Sequence, residues 1–466
     1  MQKEINPGIF KAYDIRGVAG IDLDEEIMEL IGKGFGTFVR KNGKKKIVLG
    51  RDIRKTSPVF AAAVTRGLLS TGCDVFDAGV VVTPNIYYAS NKYDFDAGVM
   101  ITASHNPAEH NGVKMTWQKS SLSSQKIQEI KDIIVGGEFE VGEGKEEKFP
   151  QARIDYIDEI SSRVVLKKSL KVVVDPSNAT AITVVEDLLK KMNCEAIMIN
   201  GEIDPDFKTH QPDPIVHENY PPLVAKILEV GADLGVMFDG DADRVGFVDE
   251  KGNIWLGDKI QMLLVRDILP KNPGSKVIVE LKNSEAVVEE VNRLGGVPIF
   301  GQTGHTLIEE KLHAEGAILA AEMSCHYYIA DQWYKFDDAM YAMARILQII
   351  TDSGRTFSDL MLELPDYPST PEYRVAVPQD RLKNIVAEVT EYFKEKCDKY
   401  LDMDGIKGYM YNGWFLIRSS NTQPIISVRV EAKTVEGLEK LKKVIKEKLD
   451  QVEGVNLDWD RQYDVA

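Results

Sequence analysis

Phe238-Asp239-Gly240-Asp241-Ala242-Asp243-Arg244 follows the apolar run Leu234-Gly235-Val236-Met237 and leads directly into Val245-Gly246-Phe247-Val248. Three carboxylates alternate here with the two smallest side chains. A hard cation needs several oxygens converging on one point, and Gly240 and Ala242 leave room for the backbone to bend around it. Without a cation, carboxylates this close repel. The flanking runs read as buried strands, which puts the loop at a strand's carboxyl end, where ligands of open α/β sheets gather. An acidic turn held by Asx hydrogen bonds is the plainer alternative, but such a turn needs neither a third Asp nor a flanking Arg. Calcium also takes oxygen ligands, yet an EF-hand loop requires helices on both sides. Here Glu250, at the twelfth position, follows strand-like residues, so magnesium is preferred.

Outward from this loop, apolar strands alternate with helical spacing. Asp24 to Arg40 and Ser57 to Leu69 read as helices around the strand Ile47–Asp52, and Phe95–Ile101 is a further strand. The pattern resumes with a helix near Ile154 to Val164, the strand Lys171–Asp175, a helix from Thr183 to Lys191 and the strand Ala196–Ile199. A third unit has helices at Asp258–Leu269 and Glu285–Leu294 and strands at Lys276–Leu281 and Val297–Phe300. Boundaries are expected in the Gly- and Glu-rich Gly136–Lys148, read as a linker or exposed hairpin, after Lys251-Gly252, and in the proline-rich Leu364–Pro371. The expected domains are therefore 1–150, 151–252, 253–366 and 367–466. The first three are α/β and the last, reading strand, helix, strands, helix, is α+β.

At 466 residues the chain suits three or four domains. It carries 57 basic and 73 acidic side chains for a net charge of −16, which disfavours nucleic-acid and anionic-membrane partners. No apolar run is long enough to span a bilayer, the first residues lack a signal-peptide core, and four scattered cysteines suit a reducing cytoplasm. Cys73, Cys194 and Cys397 read as small apolar residues.

Polar clusters follow the apolar strands. Thr102-Ala103-Ser104-His105-Asn106-Pro107 places a Ser as a nucleophile would be placed, though alone it also fits a polar turn. A hydroxyl takes a phosphoryl group only where a cation and basic residues offset the charge, which the aspartate loop would supply. Lys114, after Asn111-Gly112, is as readily a solvated strand end as a catalytic group. His210-Gln211-Pro212-Asp213-Pro214 reads as a proline-stiffened loop without chemistry. Glu322-Met323-Ser324-Cys325-His326, with His305, suits recognition of sugar hydroxyls. Arg418-Ser419-Ser420-Asn421-Thr422 makes a compact phosphate cradle.

With these loops in order, the chain resembles the α-D-phosphohexomutase family over nearly its whole length, closest to its phosphomannomutase/phosphoglucomutase group. Four motifs carry the likeness: Thr102–Pro107, Asp239–Arg244, Glu322–His326 and Arg418–Thr422. The resemblance implies three similar α/β/α domains with mixed sheets and a C-terminal α+β domain around a central cleft. It implies that Ser104 is a phosphoserine, with Mg2+ held between it and Asp239, Asp241 and Asp243. Arg16, Lys114 and His326 become the proton-transfer candidates. Tyr13, Arg244, Lys282, His305, Glu322, Ser324, Arg418, Ser420, Asn421 and Thr422 become substrate contacts. The implied reaction converts hexose 1-phosphate to hexose 6-phosphate, for mannose and glucose, through a 1,6-bisphosphate, with glucose 1,6-bisphosphate as activator and a monomer or homodimer as the working form. A glucosamine-phosphate mutase, a phosphatase acting through Ser104 and a noncatalytic sugar-phosphate sensor are the alternatives. Two departures bear on specificity: the family usually has Gly where this chain has Ala321 and Cys325. The turn Asp175-Pro176-Ser177-Asn178 also lacks the usual glycines.

Overall fold

The computed structural model describes residues 5–420 and 424–459. Four sheets succeed one another along the chain. The first runs Ile15–Val18, His110–Trp117, Ala97–Ile101, Lys46–Arg51, Asp74–Val80 and Glu146–Lys148 in spatial order. The second runs Ile254–Trp255, Val245–Asp249, Leu234–Phe238, Lys171–Asp175 and Glu195–Met198, and the third Val297–Gly301, Lys276–Glu280, Leu319–Ala321 and Tyr327–Ile329. All three are mixed. The fourth, from Tyr373–Ala376 to Ile425–Ala432, is wholly antiparallel and packs against helices Leu382–Lys394 and Val435–Leu449. No described helix is long and apolar enough to cross a membrane.

One supersecondary unit recurs. Lys46–Arg51 pairs in parallel with Ala97–Ile101, which turns back as an antiparallel hairpin onto His110–Trp117. Lys171–Asp175, Leu234–Phe238 and Val245–Asp249 repeat this, as do Lys276–Glu280, Leu319–Ala321 and Tyr327–Ile329. The continuous apolar character of Val172-Val173-Val174 and Val277-Ile278-Val279, all buried, is what strands covered on both faces require. The polar clusters at Thr102, Asp239 and Glu322 are the three hairpin connections, and the Arg418 cluster begins the connection between Gly413–Ser419 and Ile425–Ala432.

Two local expectations change. Residues 146–148, expected in a linker or hairpin, form the parallel edge strand of the first sheet, with Val75 opposite Glu146. An edge strand exposed to water keeps charged side chains and pairs through its backbone, so its sequence carries no apolar signature. The helix expected from Thr183 begins instead as the 3-10 turn Thr180–Thr183 and becomes α-helical at Val185–Lys191.

The apolar cores explain how the layers hold together. One cluster joins Tyr87 and Tyr88 of the first layer to the second and third layers, from Tyr156 to Leu364. The fourth sheet has its own core, Tyr373 to Leu457, and reaches the third through Leu281, Trp414 and Leu416. Between the first and third layers, Glu309 is only 2% exposed. Its Oε1 accepts from the Ser121 amide at 3.0 Å while Oε2 has no partner. Burial pushes this carboxyl from 4.5 up to about 8. Between those two values the folded state keeps a proton that the unfolded chain has released, so stability falls as pH rises through the window, by roughly 5 kcal/mol on this group's account. Urea titrations of Glu309→Gln are expected to lose that part of the decline from pH 5 to 8.

Candidate active site

Ser104 occupies the first hairpin connection with a φ of 51°, in the left-handed region that side-chain-bearing residues seldom adopt. Its amide donates to Thr102 Oγ1 at 2.9 Å, and its hydroxyl donates to Asp239 Oδ2 at 2.8 Å. His105 Nδ1 lies 3.1 Å from the same Oγ. Burial, with Arg244 and Arg16 nearby, holds His105 well below the usual imidazole range and so neutral. Gly240 permits the approach of the two loops, because a Cβ there would lie 2.2 Å from the Ser104 carbonyl oxygen. The small residue is thus needed for docking one domain on the next, and the backbone turn itself falls at Ala242, with a φ of 58°.

Asp239, Asp241 and Asp243 are fully buried, and each offers an oxygen within 4.8 Å of the others. Asp241 Oδ2 accepts from Thr83 Oγ1 at 2.6 Å and Lys114 Nζ at 2.8 Å, and Asp243 Oδ2 accepts from Lys114 Nζ at 2.5 Å. Arg244 donates through Nε to Asp239 Oδ2 at 3.1 Å and through Nη1 to Asp213 Oδ1 at 3.0 Å. Three carboxylates therefore face two fixed cations. Asp241 Oδ1 and Asp243 Oδ1 are left without hydrogen-bond partners. Burial and then the charge of Asp243 drive the Asp239 carboxyl well above its ordinary range. An all-oxygen donor set with two unpartnered oxygens fits a hard divalent cation such as magnesium.

His326 closes this cluster from the third domain. Its backbone bridges to Arg244, and its Nδ1 lies 2.7 Å from Asp337 Oδ2 and 3.9 Å from Asp243 Oδ1. Burial opposes its charge, but Asp243 and Asp337 outweigh burial and raise the imidazole to about 9. His305 stacks on it at 5.8 Å and is itself pushed down to about 4, by burial first, so a neutral ring lies against an imidazolium. Tyr13 meets His305 edge-on at 5.5 Å and donates to the Thr303 carbonyl at 3.2 Å. Gly304 makes that possible: with a φ of 131°, a Cβ there would lie 2.4 Å from the Tyr13 hydroxyl. Arg16 donates to Asn106 Oδ1 at 2.7 Å and Asp14 Oδ2 at 2.5 Å, beside the Ser104 loop.

A second group continues the site toward the fourth domain. Glu322 Oε1 accepts from Tyr328 at 3.1 Å and Oε2 from the Gly304 amide at 3.2 Å. Burial raises its carboxyl to about 7 against the pull of His326. Lys282 Nζ lies 3.3 Å from Glu372 and 3.4 Å from Glu280. Arg418 pairs with Asp404 at 2.7 Å and shares the field of Glu372 with Lys282. Ser324 is half-buried on its loop, and the Ser420 amide donates to the Ile425 carbonyl at 2.9 Å. Asn421 and Thr422 lie outside the described residues.

Cys325 has a φ of 72°, the conformation for which a glycine is the usual choice. Its side chain is fully buried in the core with Val245 and Tyr327, and Sγ lies 3.8 Å from the Met323 carbonyl oxygen. The substitution therefore loads the backbone and packs behind the loop. Ser177 and Asn178, with φ of 55° and 54°, likewise hold left-handed geometry in the turn Asp175–Asn178.

Several partners were not apparent from the sequence. Asp213, in a loop expected only to shape the chain, holds Arg244, and Gln211 donates to the His105 carbonyl at 2.9 Å. Thr83, Asp337 and Arg54 belong with them. Each is remote in sequence from the group it supports.

The sequence matches four family descriptions in succession: phosphoglucomutase/phosphomannomutase α/β/α domain I over residues 7–140, domain II over 154–252, domain III over 256–367 and the C-terminal domain over 372–448. A phosphomannomutase/phosphoglucomutase of Pseudomonas putida is 36% identical over 445 residues, 96% of each chain. A phosphoglucomutase of Neisseria gonorrhoeae is 35% identical over 94% of this chain and 95% of its own. The crystal structure of a family protein from Burkholderia thailandensis superposes with a TM-score of 0.91 at 35% identity, covering 97% of this chain and 99% of that one. Likeness of this extent runs through all four domains, and the chain belongs to the phosphoglucomutase/phosphomannomutase family.

Proposed function

We propose that the protein interconverts hexose 1-phosphate and hexose 6-phosphate of mannose and glucose by way of a phosphorylated Ser104. The observation that carries this reading is the Ser104 hydroxyl 2.8 Å from Asp239, inside a buried carboxylate cluster with two unpartnered oxygens. A nucleophile so placed serves a transfer in which charge must be neutralised locally.

Asp239, Asp241, Asp243 and the phosphate on Ser104 would hold Mg2+, which when bound supplies neutralisation of the phosphoryl oxygens. In the first half-reaction the bond from Ser104 Oγ to phosphorus breaks as one forms to the sugar's free hydroxyl, giving a 1,6-bisphosphate. After the bisphosphate turns over in the cleft, Ser104 Oγ attacks the other phosphoryl group, whose bond to the sugar oxygen breaks. Lys114, fixed between Asp241 and Asp243, stays charged and electrostatic in role. Asp337 occupies His326 Nδ1, so proton exchange with the sugar hydroxyl falls to Nε2. In the first half-reaction the sugar hydroxyl's proton ends on the Ser104 oxygen that leaves phosphorus, and in the second the Ser104 proton ends on the freed sugar oxygen. Being raised to about 9, the imidazole is charged at neutral pH and serves the second as the acid, a form lost as pH rises through 9. Lys282, Arg418 and Ser420 would take the non-transferring phosphate, and Glu322 with Ser324 the sugar hydroxyls. Glucose 1,6-bisphosphate would prime Ser104 and so act as activator. The four cysteines are unpaired, which agrees with a reducing compartment.

Phosphorus NMR tests the reading: purified protein with magnesium and a trace of glucose 1,6-bisphosphate receives mannose 1-phosphate or glucose 1-phosphate in parallel. Both 6-phosphates are expected. Release of inorganic phosphate in step with turnover, or inert tubes, would overturn it. Because Cys325 points into the core, Cys325→Gly is expected to change the ratio of kcat/KM for the two sugars by less than about twofold.

A further inference from the structure

We propose that Arg54 is a positioning residue whose guanidinium holds the Ser104 loop in its reactive conformation and against the aspartate loop; the inference rests on the phosphoserine reading above. Arg54 is 1% exposed, and its two terminal nitrogens are spent entirely on backbone carbonyls of one connection. Nη2 donates to the Ser104 oxygen at 2.8 Å and the Asn106 oxygen at 2.6 Å, and Nη1 to the Pro107 oxygen at 2.6 Å and the His110 oxygen at 3.1 Å. Four carbonyl acceptors are met by the five-donor fork of arginine and by no other side chain.

The fork is itself fixed. Asp52 Oδ2 lies 3.2 Å from Nε, and its other oxygen accepts from the Arg54 amide at 3.0 Å and from Ser57. Above the guanidinium lies the ring of Phe207 at 5.0 Å, contributed by the second domain. The carbonyl that Arg54 grips at Ser104 is the same oxygen that would meet a Cβ on Gly240 at 2.2 Å. One side chain thus sets the left-handed turn at residue 104 and the distance from its hydroxyl to Asp239. Arg54 touches no reacting atom; it acts through the loop it holds, and a displacement of about 1 Å at a reacting atom is enough to cost about a hundredfold in rate.

The test uses full-length protein. Phosphoryl transfer from the phosphorylated enzyme to glucose 1-phosphate is followed in a single turnover by intact mass, with steady-state kcat and KM alongside. Arg54→Ala is expected to lose about a hundredfold in kcat with KM changed less than about threefold, and methylguanidinium is expected to restore at least about tenfold while leaving the wild type unaffected. Arg54→Lys keeps the charge and the stem but not the fork, and serves if the alanine variant does not fold; it too is expected to fall in kcat at little-changed KM. A lysine variant with the wild-type transfer rate, or a folded alanine variant that methylguanidinium does not rescue, would overturn the assignment of Arg54 alone. A wild type that never transfers phosphate from Ser104 would remove the functional reading and this inference together.

Discussion

Ser104→Ala is expected to lower kcat by at least about four orders of magnitude while leaving hexose phosphate affinity within about threefold. Alanine accepts the same backbone, so the φ of 51°, the Thr102 contact to the amide and the Arg54 contacts to the loop carbonyls all persist. What disappears is the one oxygen that can carry the phosphoryl group, together with its hydrogen bond to Asp239. Stability is expected to fall by no more than about 1 kcal/mol, the ordinary value of such a bond. Kinetics paired with calorimetric binding decides the matter. Turnover retained within tenfold of the wild type would mean that another group carries the phosphoryl transfer.

Asp243→Asn is expected to raise the magnesium concentration needed for half-maximal activity by about a hundredfold and to reduce kcat at saturating magnesium by about a thousandfold. Asp243 joins the cation site to the acid His326. It accepts from Lys114 at 2.5 Å, faces His326 at 3.9 Å and contributes an oxygen to the cation site. Burial opposes its charge, but Lys114, His326 and Arg244 outweigh burial and hold it ionised. An amide of the same shape abolishes these effects at once, lowering the imidazole of His326 as well as weakening the metal. The metal-free fold should survive the change. Asp243 is the leading charge that raises the Asp239 carboxyl, so its removal relieves one repulsion while it strands part of Lys114's pairing. Thermal melts within a few degrees of the wild type, beside Mn2+ binding followed by electron paramagnetic resonance, would separate lost chemistry from lost folding. Cation affinity of the wild type is also expected to rise with pH, because burial and the charge of Asp243 raise the Asp239 carboxyl and a ligating carboxylate must be free of its proton, and the slope should be shallower in the variant.

How much of this was legible beforehand depends on how local each signal is. The aspartate loop announced itself because three carboxylates, two small residues and an arginine stand within six positions between apolar runs. Ser104, Glu322 and Arg418 were visible for the same reason, each at or just past the end of an apolar run. Residues 146–148 were misread because an exposed edge strand is specified by backbone pairing, which leaves no periodicity to find.

Other features have no local signature at all. Arg54 is fifty residues from Ser104, Asp337 is eleven from His326, and Asp213 is thirty-one from Arg244. Each is an ordinary charged residue until the chain folds. The sequence by itself determined most of the buried strands, where their connections fall and which residue types stand on each connection, since those follow from periodicity and residue type over a few positions. Only the tertiary structure decided that the connections from separate domains meet, that Gly240 is small for the sake of the Ser104 carbonyl, and that His326 stands charged while His105 and His305 stand neutral. Those outcomes depend on burial and on distances between groups far apart in the chain, and neither quantity exists before the domains pack.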